Sequence, residues 1–290
     1  MAGQLAAGGF DKLSVAAAAD NFVRGADGSL VPKHYDMPPW ELQYPAVRLH
    51  CFVFSRFDAT SSALSVRTFE RGISDPGSVG PRAVAFAAQV KVKLQSCQGL
   101  STGALQVYTQ ALDDLHITLF HPSAPSQPRP FASGERLRAE EELSRQLVAS
   151  FGADRRRAHG ASDGLAEVEL VVDRILMTPG GVLLLVFQPK DSSLRPSEAA
   201  PLDHFRAKLR TSFPDASPKQ TKNIYHASIL RMVGEAPDIE TAKEVAEMCE
   251  QFSARLKGTS VWFNAVTYVR ELGIIALEGE RVLLPLDPGA

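Results

Sequence analysis

The chain has 290 residues, 44% of them hydrophobic and 22% charged, as is typical of a soluble globular protein. Its formal net charge of -2 gives no electrostatic reason to expect tight binding to duplex DNA, and it does not exclude small or single-stranded substrates. No run of residues approaches the ~18 apolar positions of a membrane span, and we expect no membrane partner.

Residues 1–44 are poorly patterned and end in a proline-rich stretch. We predict a partly disordered N-terminal extension, with Trp40 or Tyr44 as its anchor on the rest of the chain. The alanine-rich start lacks a signal-type apolar core, so we expect a cytoplasmic or nuclear location, with organelle targeting as the alternative. Residues 45–290 are predicted to form one domain.

The spacing of apolar residues predicts the elements of this domain in chain order. Helices are expected at 83–94, 135–151, 198–213 and 239–256. Strands are expected at 47–54, 105–108, 115–120, 166–177, 182–187, 225–230, 261–269 and 274–286. Gly152 is expected to end the second helix. Arg155–Arg157 would then lie in a solvated loop, with a phosphate-binding role as the alternative.

The order of these elements repeats. Strand, helix, strand, helix and strand follow one another in residues 45–178 and again in 181–285, where one further strand closes the chain. Sequence identity between the two copies is low outside two short motifs. Repeated mixed units of this kind predict an α+β fold with two packed lobes.

The two motifs are Leu115-His116-Ile117-Thr118-Leu119 and Tyr225-His226-Ala227-Ser228-Ile229. Apolar and polar residues alternate in both, which indicates half-buried strands with each histidine beside a hydroxyl on one face. By the same alternation, His121 and Tyr225 point to the other face and suit core or supporting roles. Two unrelated structural histidines are the alternative interpretation.

A pair of histidines suits the cleavage of a phosphodiester. In-line displacement needs a base at the attacking oxygen and an acid at the leaving oxygen, and a pKa near 6.5 lets histidine serve as either. The hydroxyls of Thr118 and Ser228 are able to donate hydrogen bonds to the non-bridging phosphoryl oxygens. This chemistry requires no metal and no cofactor, and we expect neither.

These motifs resemble the paired His-x-Thr/Ser motifs of the 2H phosphoesterase superfamily, over roughly residues 45–285. The resemblance implies a bilobal, pseudo-two-fold fold in which two antiparallel sheets form a central cleft with helices outside. It also implies hydrolysis of a cyclic phosphate or of a single-stranded RNA end. His116 and His226 would be the catalytic pair, and Thr118 and Ser228 the phosphate-binding hydroxyls. Which histidine is the base stays open, and we expect a monomer.

Two rival interpretations remain. Gly99-Leu100-Ser101-Thr102-Gly103 matches the Gly-x-Ser-x-Gly of serine hydrolases, but polar residues precede it and a predicted strand follows, so a flexible turn explains it better. The second rival is a non-catalytic module that binds a nucleotide or RNA end on the same fold. Phe120 or Tyr108 is a candidate to stack a base near the cleft, with structural packing as the alternative.

Overall fold

The computed structural model describes residues 5, 7–33, 49–54, 79–96, 104–121, 134–159, 167–190, 201–213, 224–271 and 279–287. Trp40, Tyr44 and the glycine-rich stretch 99–103 lie outside these residues. Within the described ranges, no helix is long and apolar enough to span a membrane.

The helices are Lys12–Ala17 (α1), Val79–Gln95 (α2), Gly134–His159 (α3), Pro201–Ser212 (α4) and Ile239–Leu256 (α5). The strands are Phe22–Arg24 (β1), Leu30–Pro32 (β2), Leu49–Phe54 (β3), Leu105–Thr109 (β4), Ile117–Phe120 (β5), Val168–Met177 (β6), Val182–Pro189 (β7), Tyr225–Gly234 (β8), Ser260–Phe263 (β9), Ala265–Glu271 (β10) and Gly279–Pro285 (β11). The predicted helices all exist.

Helix α5 shows why the sequence defined its bounds so well. Asp238 caps its start by accepting a hydrogen bond from the Thr241 amide at 2.8 Å. Its buried side chains, among them Val245 and Cys249, recur every three or four residues and form one apolar stripe. Gly258 follows its end with a φ of 83°, a conformation that glycine adopts without strain.

Helix α3 runs past the predicted end at residue 151, so the expectation that Gly152 stops it was wrong. Gly152 is buried inside the helix, where a Cβ would lie 1.7 Å from the carbonyl oxygen of Leu286. The glycine therefore serves close packing against the end of the chain. Arg155 is also helical and buried, and its guanidinium donates to the Glu167 carbonyl at 3.0 and 3.2 Å.

We expect Gly152→Ala to lower the free energy of unfolding by about 1–3 kcal/mol, the usual cost of overpacking, even though alanine favours helices. Urea denaturation measures the difference. The control is Ser150→Ala in the same helix. Ser150 is exposed, so this substitution should leave the free energy of unfolding nearly unchanged. A Gly152→Ala protein as stable as the native chain would contradict the packing argument.

The main sheet is antiparallel and curled, with the strand order β11-β10-β3-β5-β8-β7-β6-β9 and with β4 also paired to β8. The predicted α+β class is confirmed. One half of this sheet holds β11, β10, β3 and β5, and the other holds β8, β7, β6 and β9. The halves meet where β5 pairs with β8 at Ile117 and Ala227, and so they form one continuous sheet. Each half combines strands from both sequence repeats, since the late strands β10 and β11 extend the half that holds β3 and β5.

The predicted strand 261–269 is two strands, which Asn264 separates. β9 pairs with β6 at one edge of the sheet, whereas β10 pairs with β3 and β11 in the other half. Only one residue links them, so the curl of the sheet brings these two regions together. The sequence is mostly apolar on both sides of Asn264, and this pattern carries no information about which strand each part pairs with.

The helices α2 to α5 pack on one face of this sheet, where the main apolar core lies. Among the described residues, no helix or strand covers the centre of the other face, which is called the open face below. The N-terminal segment covers one end of that open face: Phe22 packs on Val233 and Tyr108, in a small cluster that also holds Ala18 and Leu30. Much of the predicted extension thus forms regular structure against the domain.

Candidate functional site

The first histidine motif alternates as its sequence predicts. Leu115, Ile117 and Leu119 are buried in the core beneath the helices. His116 and Thr118 are partly exposed between them and lie on the open face of the sheet. The backbone therefore presents an imidazole and a hydroxyl side by side.

The second motif lies in β8 with the same pattern. Tyr225, Ala227 and Ile229 are buried, while His226 and Ser228 are partly exposed. The neighbouring strand β7 pairs Val186 with His226 and Leu184 with Ser228, so half-buried apolar side chains border the motif on that side. The wall beside the second histidine is thus apolar.

The antiparallel pair of Ile117 and Ala227 brings the two motifs into register. One step to either side of it, His116 lies beside Ser228 and Thr118 lies beside His226. Directly opposite side chains in such a pair have Cβ atoms about 4.5–5.5 Å apart, and diagonal ones about 7–8 Å. The two histidines are diagonal to each other, and so are the two hydroxyls. The four side chains therefore form one compact patch on this face.

His116 has a defined tautomer. Its Nδ1 lies 2.8 Å from the carbonyl oxygen of Asp114, which only accepts, so Nδ1 carries the hydrogen and Nε2 is left for substrate. Asp114 lies in a single 3-10 turn, Leu112–Asp114, between β4 and β5. Arg281 from β11 holds this turn through a hydrogen bond of 2.8 Å to the Asp114 carboxylate.

Both histidines have lowered pKa values. Burial lowers the pKa of His116, the hydrogen bond to Asp114 raises it, and the charges of His226 and Arg281 lower it. Burial also lowers the pKa of His226, and the cation of Arg206 lowers it further. Both shifts favour the neutral imidazole in the free chain, and a bound phosphate anion would raise the pKa of either one.

Arg206, which the sequence analysis missed, joins the two motif strands from below. It projects from α4, is 6% exposed, and donates to the carbonyls of Leu119 at 2.9 Å, Thr118 at 3.2 Å and Ile224 at 3.3 Å. These carbonyls belong to β5 and to the residue before β8. The guanidinium links the strands where their own pairing ends.

Tyr225 supports this arginine. The guanidinium carbon of Arg206 lies 3.9 Å from the centroid of the Tyr225 ring, a cation–π contact in a buried setting. The Tyr225 hydroxyl donates to Asp203 at 2.7 Å, one turn earlier in α4. The supporting role expected for Tyr225 therefore has a specific form, a stack beneath His226.

Arg231 is a second residue that the sequence analysis missed. A bulge at Ile229 shifts the register between β7 and β8, so Arg231 pairs with Val182 and returns to the face of Ser228. Ser228 and Arg231 then lie about 7 Å apart along the strand. The Nε of Arg231 is buried without a hydrogen-bond partner, and within the described residues no carboxylate pairs with the guanidinium.

The expectation that His121 points away from His116 was wrong. Phe52 of β3 pairs with Phe120 and Val53 with Thr118, so Leu119 is an extra residue in β5. Leu119 and Phe120 both point into the core, and His121 returns to the side of His116. Burial lowers the pKa of His121 to about 4, and the charge of His116 contributes.

His121 makes stability depend on pH. Between pH 6.5 and about 4 the unfolded chain binds a proton that the folded chain excludes, so stability falls as the pH falls. We expect the native chain to lose ~3 kcal/mol relative to His121→Gln between pH 7 and pH 4. Urea denaturation of both proteins at the two pH values tests this. A stability difference that does not change with pH would contradict it.

The two candidate stacking residues differ in their exposure to solvent. Phe120 is 1% exposed and packs near Phe213, with ring centroids 6.2 Å apart, so it is a core residue. Tyr108 is partly exposed, but its ring lies 5.1 Å from that of Phe22. Phe120 therefore has the packing role that was the alternative to base stacking. Tyr108 packs against Phe22 and also borders the open face.

Across the described ranges, no group of three histidine, cysteine, aspartate or glutamate side chains comes together as a metal site. Cys249 is buried, and burial raises its thiol pKa to about 12, so it is an inert core residue.

Comparison with known proteins assigns the chain to no family. No family model matches the chain, and no curated protein matches its sequence. The chain is similar in structure to Usb1 of Kluyveromyces marxianus, with a TM-score of 0.35 and 10% identity over 82% of this chain and 98% of that one. Usb1 with uridine monophosphate gives 0.34 and 10% over the same shares. Values in this range do not establish a common family or function.

Proposed function

We propose that the chain is a metal-independent phosphodiesterase that hydrolyses a cyclic phosphate or a short RNA-end phosphodiester. His116 and His226 are its general acid and base. The observation that carries the proposal is the pairing of β5 with β8, which sets two imidazoles and two hydroxyls at alternate corners of one patch. Four such groups on one face match the demands of in-line displacement at phosphorus.

In this reaction one imidazole accepts a proton from the attacking water, whose oxygen forms a bond to phosphorus. The other imidazole donates a proton to the ribose oxygen as its bond to phosphorus breaks. Because the histidines are diagonal, they reach opposite sides of a phosphate between them. The Nδ1 hydrogen bond of His116 leaves its Nε2 facing the substrate.

The remaining groups stabilise charge. Thr118 and Ser228 donate hydrogen bonds to the non-bridging oxygens, where negative charge is held in the transition state. Arg231 contributes a cation on the same face near Ser228. An arginine without a carboxylate partner is well suited to bind a phosphate oxygen.

A non-catalytic module that binds a nucleotide or RNA end is the second candidate. The lowered pKa of both histidines favours it, because a general acid must carry a proton at the working pH. The two candidates differ in how they respond to pH. The enzyme should turn over most rapidly below pH 7, whereas the module binds without turnover at any pH.

The test is turnover of a panel in EDTA between pH 5 and pH 8. The panel holds the 2′,3′-cyclic nucleotides, ADP-ribose 1″,2″-cyclic phosphate and a short RNA with a cyclic-phosphate end. We expect at least one of them to be hydrolysed, with a bell-shaped pH profile. Complete loss of rate on chelation would refute the metal-independent mechanism, and binding without turnover would favour the module.

A further inference from the structure

The open face continues beyond the histidines to the edge strand β9, and a tryptophan is exposed there. Trp262 pairs with Glu169 of β6, while its neighbours Val261 and Phe263 are buried in the helix-covered core. Alternation therefore places Trp262 on the face of His226. Its side chain is 45% exposed, which is unusual for so large an apolar group.

An arginine lies on the same face between the histidines and this tryptophan. Arg174 of β6 pairs with Val186, which pairs with His226, so the three form one row across the sheet. Two strand spacings separate Arg174 from His226, about 10 Å. Only its Nε is engaged, with Asp173 at 2.6 Å, and its Nη groups make no hydrogen bond to any described residue.

The surface between these groups is accessible. Gln188 and Ile224, which alternation places on this face beside His226, are both exposed. Two acidic residues, Glu167 and Glu169, lie on this face near Trp262. Lys190 neutralises Glu169 through an ion pair of 2.8 Å, and burial together with the charge of Glu169 raises the pKa of Glu167. This end of the face therefore presents apolar and amide groups beside the exposed guanidinium of Arg174, which forms an ion pair with Asp173.

The face is closed in the other direction along β8. Beyond Arg231, Val233 is covered by Phe22 of the N-terminal segment, and Tyr108 borders the same contact. Since that end is covered, a chain bound at the histidines is able to continue away from it, across β7 toward β6 and β9.

We propose that the open face from His226 to Trp262 binds a single-stranded segment of RNA, so that the substrate is an oligonucleotide and not a mononucleotide. The inference rests on the proposed function, which places the phosphoester at the histidines. Trp262 stacks a base, and Arg174 contacts a backbone phosphate. Aromatic platforms with nearby cations are how proteins hold single strands of any sequence.

The dimensions agree with a short oligonucleotide. Three strand spacings across and four residues along the sheet separate Trp262 from His226, roughly 20 Å in all. A stacked single strand advances about 3.4 Å per nucleotide and roughly twice that when extended, so this distance holds on the order of three to six nucleotides.

The experiment uses RNAs of one to six nucleotides that end in a 2′,3′-cyclic phosphate. We expect KM to fall with length in the native chain. Trp262→Ala should raise KM for the longest RNA about 5- to 100-fold, the effect of losing one stacked base, and leave the mononucleotide unchanged. Trp262→Phe should retain most of the affinity. Val92→Ala is the control, because Val92 is exposed on α2, away from this face.

Salt dependence tests Arg174 separately. Arg174→Ala should lower the slope of log Kd against log salt by about 0.7 for the longest RNA, as expected for one lost phosphate contact to a single strand. Arg174→Lys should keep the slope. A KM independent of length, or a Trp262→Ala effect equal for all lengths, would overturn the proposal.

A binding measurement separates this proposal from the catalytic one. The probe is a labelled six-nucleotide RNA, and the protein is the His116→Ala, His226→Ala double variant with and without Trp262→Ala. If RNA binding depends on Trp262 but the native chain hydrolyses none of the substrates, the RNA surface is supported and the catalytic proposal is refuted. Hydrolysis by the native chain without any length or Trp262 dependence supports catalysis and overturns the RNA surface.

Discussion

Replacing His116 or His226 by alanine is expected to lower kcat by roughly 10²–10⁴, the range for loss of a general acid or base. Each histidine serves one oxygen of the reacting phosphate, so neither compensates for the other. The double variant should fall little below the lower of the single variants, because groups that act as a unit are not additive. Single-turnover rates on the substrate found in the panel measure these effects.

The hydroxyls should matter less than the imidazoles. Thr118→Ala and Ser228→Ala are each expected to lower kcat on the order of 10- to 10³-fold, since each removes one donor to the phosphoryl oxygens. His204→Ala is the matched control, because His204 is an exposed histidine on α4, away from the motif face. Full activity in the double histidine variant would rule out the proposed mechanism.

The parts of the site that the sequence predicted are those with a local signal. Alternation in Leu115–Leu119 and Tyr225–Ile229 defined which side chains share a face, and the structure shows that pattern of burial. The pairing of the two motifs is a long-range property that alternation alone does not determine. The repeat suggested it, because equivalent strands of a duplicated unit tend to meet.

The errors in the two motif strands have one physical origin. A single extra residue in a strand reverses the alternation beyond it, and two such bulges lie at the site, at Leu119 and at Ile229. The first brings His121 to the site face and the second brings Arg231. Simple alternation places His121 on the wrong face, and it gives no reason to select Arg231 as a site residue. Both bulges follow directly after a motif hydroxyl, Thr118 or Ser228.

The role of Arg206 was not predicted for a different reason. In the sequence it is one of several basic residues in an amphipathic helix, where a solvated position is the ordinary expectation. Only the packing of α4 under β5 and β8 shows that its guanidinium is buried among three carbonyls. Buried arginines that bind main-chain acceptors have no local signature, and their effects on a site are correspondingly hard to foresee.

Arg206→Met is expected to lower the free energy of unfolding by about 3–5 kcal/mol, because it leaves buried carbonyls without a donor. It should also change catalysis. Without the cation, the pKa of His226 rises toward its ordinary value, and the corresponding limb of the pH–rate profile moves to higher pH. Urea denaturation and the pH dependence of kcat/KM measure the two effects.

Conservative variants separate charge from geometry at this position. Arg206→Lys keeps the cation near His226 but lacks the planar fork that reaches both strands, so we expect the pH profile to stay while part of the stability is lost. Arg210→Met, exposed one turn later in α4, should change stability by less than about 0.5 kcal/mol. If Arg206→Met left both stability and the pH profile unchanged, the two motif strands would hold their register without it, and the lowered pKa of His226 would be due to burial alone.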